Sequence, residues 1–325
     1  MSRTVETAFT DTIKLHMRAR INAFYVENYE WEKFQAEMFR ANFSQNLLFY
    51  NDAQGLFSVF EGGRVEKKDI LDISEVLDEI EPNTIYIFDN VHSYLNDPQV
   101  ITRFRVAFRN LRNIGSAIII FSPVLNIPKE LEKELTILEY ALPNETQILR
   151  LAQRYLKEMG YSDRVTEDIP KSLLGLTFRE VENSIRKTAL QFEGITTKEI
   201  PHLIFEKEQI IKKSGFLEYF HPKEDMNSIG GLDNLKEWLS IRSKAFSNKA
   251  IEFGLSYPKG VMLLGIPGTG KSLSAKAVSN SWKLPLLRLD FGKIFGGLVG
   301  ESESNIRQTI KVAESLAPSV LWIRN

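Results

Sequence analysis

Two kinds of hydrophobic pattern alternate along the first 140 residues. Short runs rich in β-branched and aromatic residues (Ile21–Glu27, Gln45–Tyr50, Leu56–Phe60, Thr84–Asp89, Ser116–Ser122 and Leu135–Tyr140) read as strands. Thr84–Asp89 and Ser116–Ser122 are almost continuously apolar, as strands covered on both faces of a parallel sheet are. Between the runs, helical spacing covers about residues 4–20, Tyr29–Arg40, Glu66–Ile80 and Pro98–Arg112, the last opened by its proline. Strand and helix in alternation predict an α/β fold with a parallel sheet. From Glu145 the pattern changes. Glu145–Met159, Thr166–Gly175 and Thr177–Phe192 are helical with no strand between them, which predicts an all-helical cap on the first domain.

Residues 194–225 mix charges with Gly194, Pro201, Gly215 and Pro222 and read as a linker. A second α/β succession follows: strand Lys259–Leu264, helix Lys271–Trp282, strand Leu284–Asp290, helix Glu301–Leu316 and apolar strand Ser319–Ile323. The expected organisation is a first domain over 1–195, a linker over 196–225 and the front part of a second domain over 226–325. A chain of 325 residues fits two such domains.

Composition narrows the chemistry by exclusion. With 43% hydrophobic and 26% charged residues the chain can pack ordinary globular cores. A net charge of −1, from 41 basic and 42 acidic residues, argues against a committed nucleic-acid binder. The absence of cysteine excludes disulfides, thiolate metal sites and cysteine nucleophiles. The four histidines have no ligand spacing to one another. Acidic residues interrupt the N-terminus before a signal-type apolar stretch forms, and the longest apolar runs fall far below the ~18 residues of a membrane span. The expectation is a protein with no membrane span, in the cytoplasm or the plastid stroma.

Between the strand ending at Leu264 and the helix starting at Lys271 stands Gly265-Ile266-Pro267-Gly268-Thr269-Gly270-Lys271-Ser272. Glycines let successive backbone N–H groups converge on phosphate oxygens without a Cβ in the way. The helix behind the loop turns its positive end toward the same anion. At this spacing Lys271 reaches β- and γ-phosphates and the Ser272 hydroxyl ligates magnesium, so ATP with Mg2+ is the expected ligand.

Three stretches together, Asn227–Asp233, the loop with Pro267 and Thr269, and Phe295–Arg307, resemble the AAA+ ATPases. The resemblance implies a P-loop three-layer sandwich with a parallel sheet, and a ring-forming homo-oligomer, hexameric in the family, that couples ATP hydrolysis to remodelling a protein or other macromolecule. It also implies that Ile229 and Gly231 border the adenine. Gly265, Pro267, Gly268, Thr269, Gly270, Lys271, Ser272 and Leu273 would hold the phosphates, and Leu298-Val299-Gly300 would face the ring pore. Leu298 stands where an aromatic residue usually grips substrate, which puts aromatic threading in doubt. The wording of Ala250–Gly260 and Leu289–Gly297 is similar to one subgroup, the AAA-domain proteins of cyanobacteria and plastids known as hypothetical chloroplast reading frame forty-six.

The first domain resembles a complete AAA+ domain with its lid, but after its first strand the chain reads Val26–Phe34, with three glutamates and no glycine. Carboxylates there repel phosphate, so this degenerate domain should bind no nucleotide. Asp89 ends a strand as a magnesium-linked aspartate would, yet Asn90 replaces the catalytic glutamate, which makes Asp89 a structural relic. Arg105, Arg109 and Arg112 share a helix face that is solvated or interdomain, or alternatively binds nucleic acid or a neighbour's site.

At the other end, the family pattern requires Asp-Glu after Val320–Ile323, where this sequence has Arg324 and Asn325. A truncated or frameshifted reading frame is expected, with no catalytic residues and impaired hydrolysis. Val261–Leu264 and Val320–Ile323 would not be neighbours, and both would present open apolar edges. The competing reading is a non-catalytic interaction protein acting through its first domain.

Overall fold

The computed structural model describes residues 9–59, 65–67, 72–162, 164–213, 217–220, 229–246, 249–250, 253–256, 258–266, 268–282, 284–290, 306, 309–310, 312–314, 316–317 and 319–324. The chain divides into two compact units, residues 1–141 and 142–325.

In the first unit the alternating pattern becomes α1 (Phe9–Arg18), β1 (Ala23–Glu27), α2 (Trp31–Arg40), β2 (Asn46–Asn51), β3 (Gly55–Val59), β4 (Val65–Lys67), α3 (Ile73–Asp78), β5 (Thr84–Asp89), α4 (Pro98–Ile114), β6 (Ala117–Ser122) and β7 (Thr136–Leu138). The sheet order is β4-β3-β2-β5-β6-β1-β7. Strands β2, β5, β6, β1 and β7 run parallel, with β1 held between the two later strands β6 and β7. The sheet is mixed, not wholly parallel, because β3 pairs antiparallel with β2 and with β4. Only a short turn separates β2 from β3, and a parallel return needs a crossover of a dozen residues or more. Asn51 fixes that turn, its Oδ1 accepting from the N–H groups of Ala53 at 3.1 Å and Gln54 at 2.9 Å. Glu66 and Lys67, expected to open a helix, are paired in β4 instead, and α3 begins only at Ile73, where the Asp72 carboxylate accepts from Ser74 N–H.

Side chains alternate across the parallel strands and feed two cores. Phe24, Val26, Ile119 and Phe121 pack with Ile13 of α1 and Phe34 and Met38 of α2. Tyr25, Phe88, Ile118 and Ile120 pack with Val76 of α3 and Phe104, Phe108 and Leu111 of α4. Helices therefore cover both faces of the sheet. Helix α4 has the punctuation its sequence promised: Asp97 caps it, Pro98 opens it and Gly115, at φ 69°, closes it. Arg105, Arg109 and Arg112 are exposed, while Phe104, Phe108 and Leu111 are buried.

The second unit opens with α5 (Glu145–Glu158), α6 (Asp168–Leu173), α7 (Phe178–Phe192) and α8 (Ile200–Lys213). Capping boxes at Asn144 and Thr177 start α5 and α7. These helices share one core that includes Leu156, Leu173, Ile185 and Leu203. The span read as a linker thus contains α8 and then β8 (Leu217–Phe220). Helix α8 lends Leu203 to the helical core and Ile211 to the next one, so α8 is held by packing on both sides.

After α9 (Asp233–Ser243) and α10 (Lys271–Trp282), β9 (Leu286–Asp290) and β10 (Val320–Arg324) join β8 in a three-stranded sheet of order β10-β9-β8. Strand β10 is parallel to β9 and β8 antiparallel. Arg288 ties the three together. It pairs with Glu218, and its guanidinium lies 5.1 Å from the Phe220 ring and 6.0 Å from that of Trp322.

The expected strand Lys259–Leu264 does not form, and Val261, Met262, Leu264 and Ile266 are 51%, 82%, 87% and 74% exposed. Its counterpart by order, β1, is buried between β6 and β7. No strand among the described residues lies beside 261–264, so its backbone groups have no ladder to join. Residues 291–305, including Leu298, lie outside the described residues, and of the expected helix 301–316 the described part is helical at 306, 309–310 and 312–314. No helix among the described residues is long and apolar enough to cross a membrane.

Candidate functional site

The glycine-rich loop closes on itself ahead of α10. Gly268 and Gly270 sit at φ 87° and 84°, conformations that side chains resist and glycine adopts freely. Thr269 turns inward, its hydroxyl donating to the Ile266 carbonyl at 2.8 Å. A Cβ on Gly265 would stand 2.9 Å from that Thr269 oxygen, so the loop closes only around a residue without a side chain. Gly265→Ala is expected to weaken nucleotide binding about tenfold, with part of the loss recovered by adding Thr269→Ala; fluorescent-nucleotide titration of the two variants checks this.

Lys271, the first residue of α10, folds back over the loop and donates to the carbonyls of Gly265 at 2.6 Å and Ile266 at 2.8 Å. No carboxylate among the described residues partners its charge. Ser272 is exposed and Leu273 half-buried in the first turn of α10, where backbone N–H groups have no partner within the helix. Lys271 and Ser272 thus open α10 directly behind the loop, with the unpartnered N–H groups of a helix start next to them in sequence. Pro267 lies outside the described residues.

Ile229 and Gly231 are placed ahead of α9. Ile229 is buried, and its carbonyl accepts from Lys236 Nζ at 2.6 Å; Gly231 has φ 68°. Helix α9 meets α10 at the latter's far end, where the Trp282 indole donates to the Leu239 carbonyl at 3.2 Å. No hydrogen bond or ring contact among the described residues brings Ile229 or Gly231 to the loop.

Comparison with known families covers most of the chain. Residues 9–140 match the family model for the N-terminal domain of SpoVK-like AAA ATPases, 145–214 the model for their second domain, and 261–325 the model for the ATPase family associated with various cellular activities. The chain belongs to the AAA+ ATPases. Among its relatives, the uncharacterized AAA domain-containing protein ycf46 of Guillardia theta is 33% identical over 97% of this chain and 64% of its own length. The ycf46 protein of Gracilaria tenuistipitata var. liui is 34% identical over 97% of this chain and 66% of its own. Protein CdcH of Halobacterium salinarum is 25% identical over 84% of this chain and 40% of its own. The chain thus spans about two thirds of the length of the ycf46 relatives.

In this AAA+ protein the first unit offers a contrasting edge. Three residues, Asn28 to Glu30, join β1 to α2, against a loop of several glycines before α10. Glu30 is buried at the start of α2, and Glu32 lies in its first turn, so carboxylates hold the helix end that would attract an anion. Beside them the edge is tied up by its own polar groups. Tyr25 donates to the Val124 carbonyl at 2.5 Å, Asn126 Nδ2 to the His92 carbonyl at 2.9 Å, and Ser122 Oγ lies 3.0 Å from His92 Nδ1. This network is invisible in the sequence because its members come from three separate stretches.

Asp89, at the end of β5, is pushed up to about 6, first by burial and then by the charge of Glu32. A carboxyl raised in the folded state favours folding while protonated, and that contribution is lost as pH rises from about 4 through about 6. Asp89→Asn is therefore expected to stabilise the first unit at pH 7 by something on the order of 1 kcal/mol after solvent screening, and to flatten the loss between those pH values. Urea denaturation across pH checks both; a destabilised Asn variant would give Asp89 a positive role.

Proposed function

We propose that this protein binds ATP with Mg2+ through Gly265, Pro267, Gly268, Thr269, Gly270, Lys271, Ser272 and Leu273, with Ile229 and Gly231 bordering the adenine. The observation that carries the reading is Lys271, which folds over the loop with no carboxylate partner among the described residues, beside the left-handed Gly268 and Gly270 and at the N-terminus of α10. Phosphate oxygens replace the two loop carbonyls as acceptors for its ammonium, and the Ser272 hydroxyl takes one coordination position on magnesium. When bound, magnesium bridges the β- and γ-phosphates and offsets their charge.

The first domain, 1–195, is a degenerate AAA+-like domain that binds no nucleotide; its three-residue β1–α2 connection and the carboxylates Glu30 and Glu32 support this. Beyond it, 196–225 connects to the ATP-binding portion, 226–325. By family, the assembled protein is a homo-oligomeric ring that couples ATP hydrolysis to macromolecular remodelling, in the cytoplasm or plastid stroma. Hydrolysis in the family also needs Asp-Glu after the apolar strand Val320–Ile323, where the sequence reads Arg324-Asn325. A polypeptide of this sequence is therefore proposed to bind without turnover. Phosphate release that depends on Lys271 would overturn that part of the proposal, whereas release at the no-enzyme rate supports it.

A second reading, an interaction protein without nucleotide, is favoured by the exposed apolar side chains Val261, Met262, Leu264 and Ile266 in the segment ahead of the loop, which pairs with no strand among the described residues. It predicts no magnesium-dependent binding at all.

A further inference from the structure

At the edge of the first unit where the parallel strands begin lies a cavity of about 470 Å³. Three helices end around it, each in a left-handed residue: Arg20 after α1 at φ 64°, Asn42 after α2 at φ 49° and Gly115 after α4 at φ 69°. Glycine is the ordinary occupant of such a position, and a side chain there costs roughly 1 kcal/mol. Arg20 bears that cost with its side chain lining the cavity.

Lys14, Arg18, Arg20 and Arg112 line the space, and no carboxylate does. Lys14 is engaged, donating to the Ala41 carbonyl at 2.6 Å and lying 5.2 Å from the centre of the Phe43 ring. The guanidinium groups of the three arginines have no hydrogen-bond, ion-pair or ring partner among the described residues. Arginine in a last helical turn can simply offset the helix dipole, so the magnitudes matter. Three helix C-termini contribute roughly −1.5 charges in all, against four formal positive ones, and the cavity stays cationic. The arginine at φ 64° is also more than dipole compensation requires, because an arginine one turn earlier would serve.

We propose that this cavity binds a small phosphorylated polyol, an anion of the sugar-phosphate class. Guanidinium forks of Arg18, Arg20 and Arg112 take the phosphate, and the amide side chains of Asn42 and Gln45, which donate and accept, take hydroxyls. The volume lies in the range of small-ligand sites, roughly 300–1,000 Å³.

Calorimetric titration of the whole chain with ribose 5-phosphate tests the assignment, with inorganic phosphate as comparison. Binding is expected to survive Lys271→Ala, to weaken at least about tenfold in Arg20→Gln/Arg112→Gln, and to exceed that of inorganic phosphate. The arginines are exposed, so the variant should keep the wild-type melting profile. No binding by the wild type, loss on Lys271→Ala, or indifference to the double substitution overturns the site. Equal affinity for inorganic phosphate overturns the polyol.

Discussion

Lys271→Ala is expected to weaken Mg-ATP binding about a hundredfold, or roughly 2.7 kcal/mol, the size of a lost pair of charge-assisted hydrogen bonds. Among the described residues the ammonium contacts only the loop carbonyls of Gly265 and Ile266, so its removal is expected to leave the packing of α10 intact and the melting temperature unchanged. Equilibrium titration with a fluorescent ATP analogue, alongside a thermal melt, separates loss of binding from loss of fold. Near wild-type affinity in the variant would mean that phosphate is held elsewhere.

The largest stability effect belongs to the first unit. Phe34 is fully buried, with ring contacts to Phe9, Trp31, Phe121 and Tyr140, so it joins α1, α2, β6 and the segment after β7. Phe34→Ala leaves a cavity at that junction and should cost about 3–5 kcal/mol. Hydrogen exchange of the β1 and β6 amides measures it directly, and their protection should fall accordingly. A cost below about 1 kcal/mol would show that the aromatic junction is not what holds the helices on this face.

What the sequence made legible follows from how local each signal is. Strands β1, β5 and β6 are short apolar runs bounded by breakers, and the structure keeps them within a residue or two. The start of α4 at Pro98 and the capping boxes at Asn144 and Thr177 are equally local. Helix α8 is hidden in the sequence because Pro201 reads as a breaker, yet Pro201 falls in the helix's first turn, where its missing N–H costs nothing. The Lys259–Leu264 run has strand composition, but a strand exists only with a neighbour, and pairing is not written in the run itself. The candidate site divides the same way. Gly265–Ser272 is contiguous and was read whole, whereas the Arg288 stack on Phe220 and Trp322, the Tyr25–Asn126–His92–Ser122 network and the Arg18, Arg20 and Arg112 cavity are each assembled from distant stretches.

Nucleotide is proposed to bind at the Lys271 loop and nowhere in the first unit. Equilibrium dialysis of the intact chain against ATP, with and without magnesium, measures stoichiometry directly. The prediction is one ATP per chain, abolished by chelating the magnesium; two per chain, or none, would contradict it.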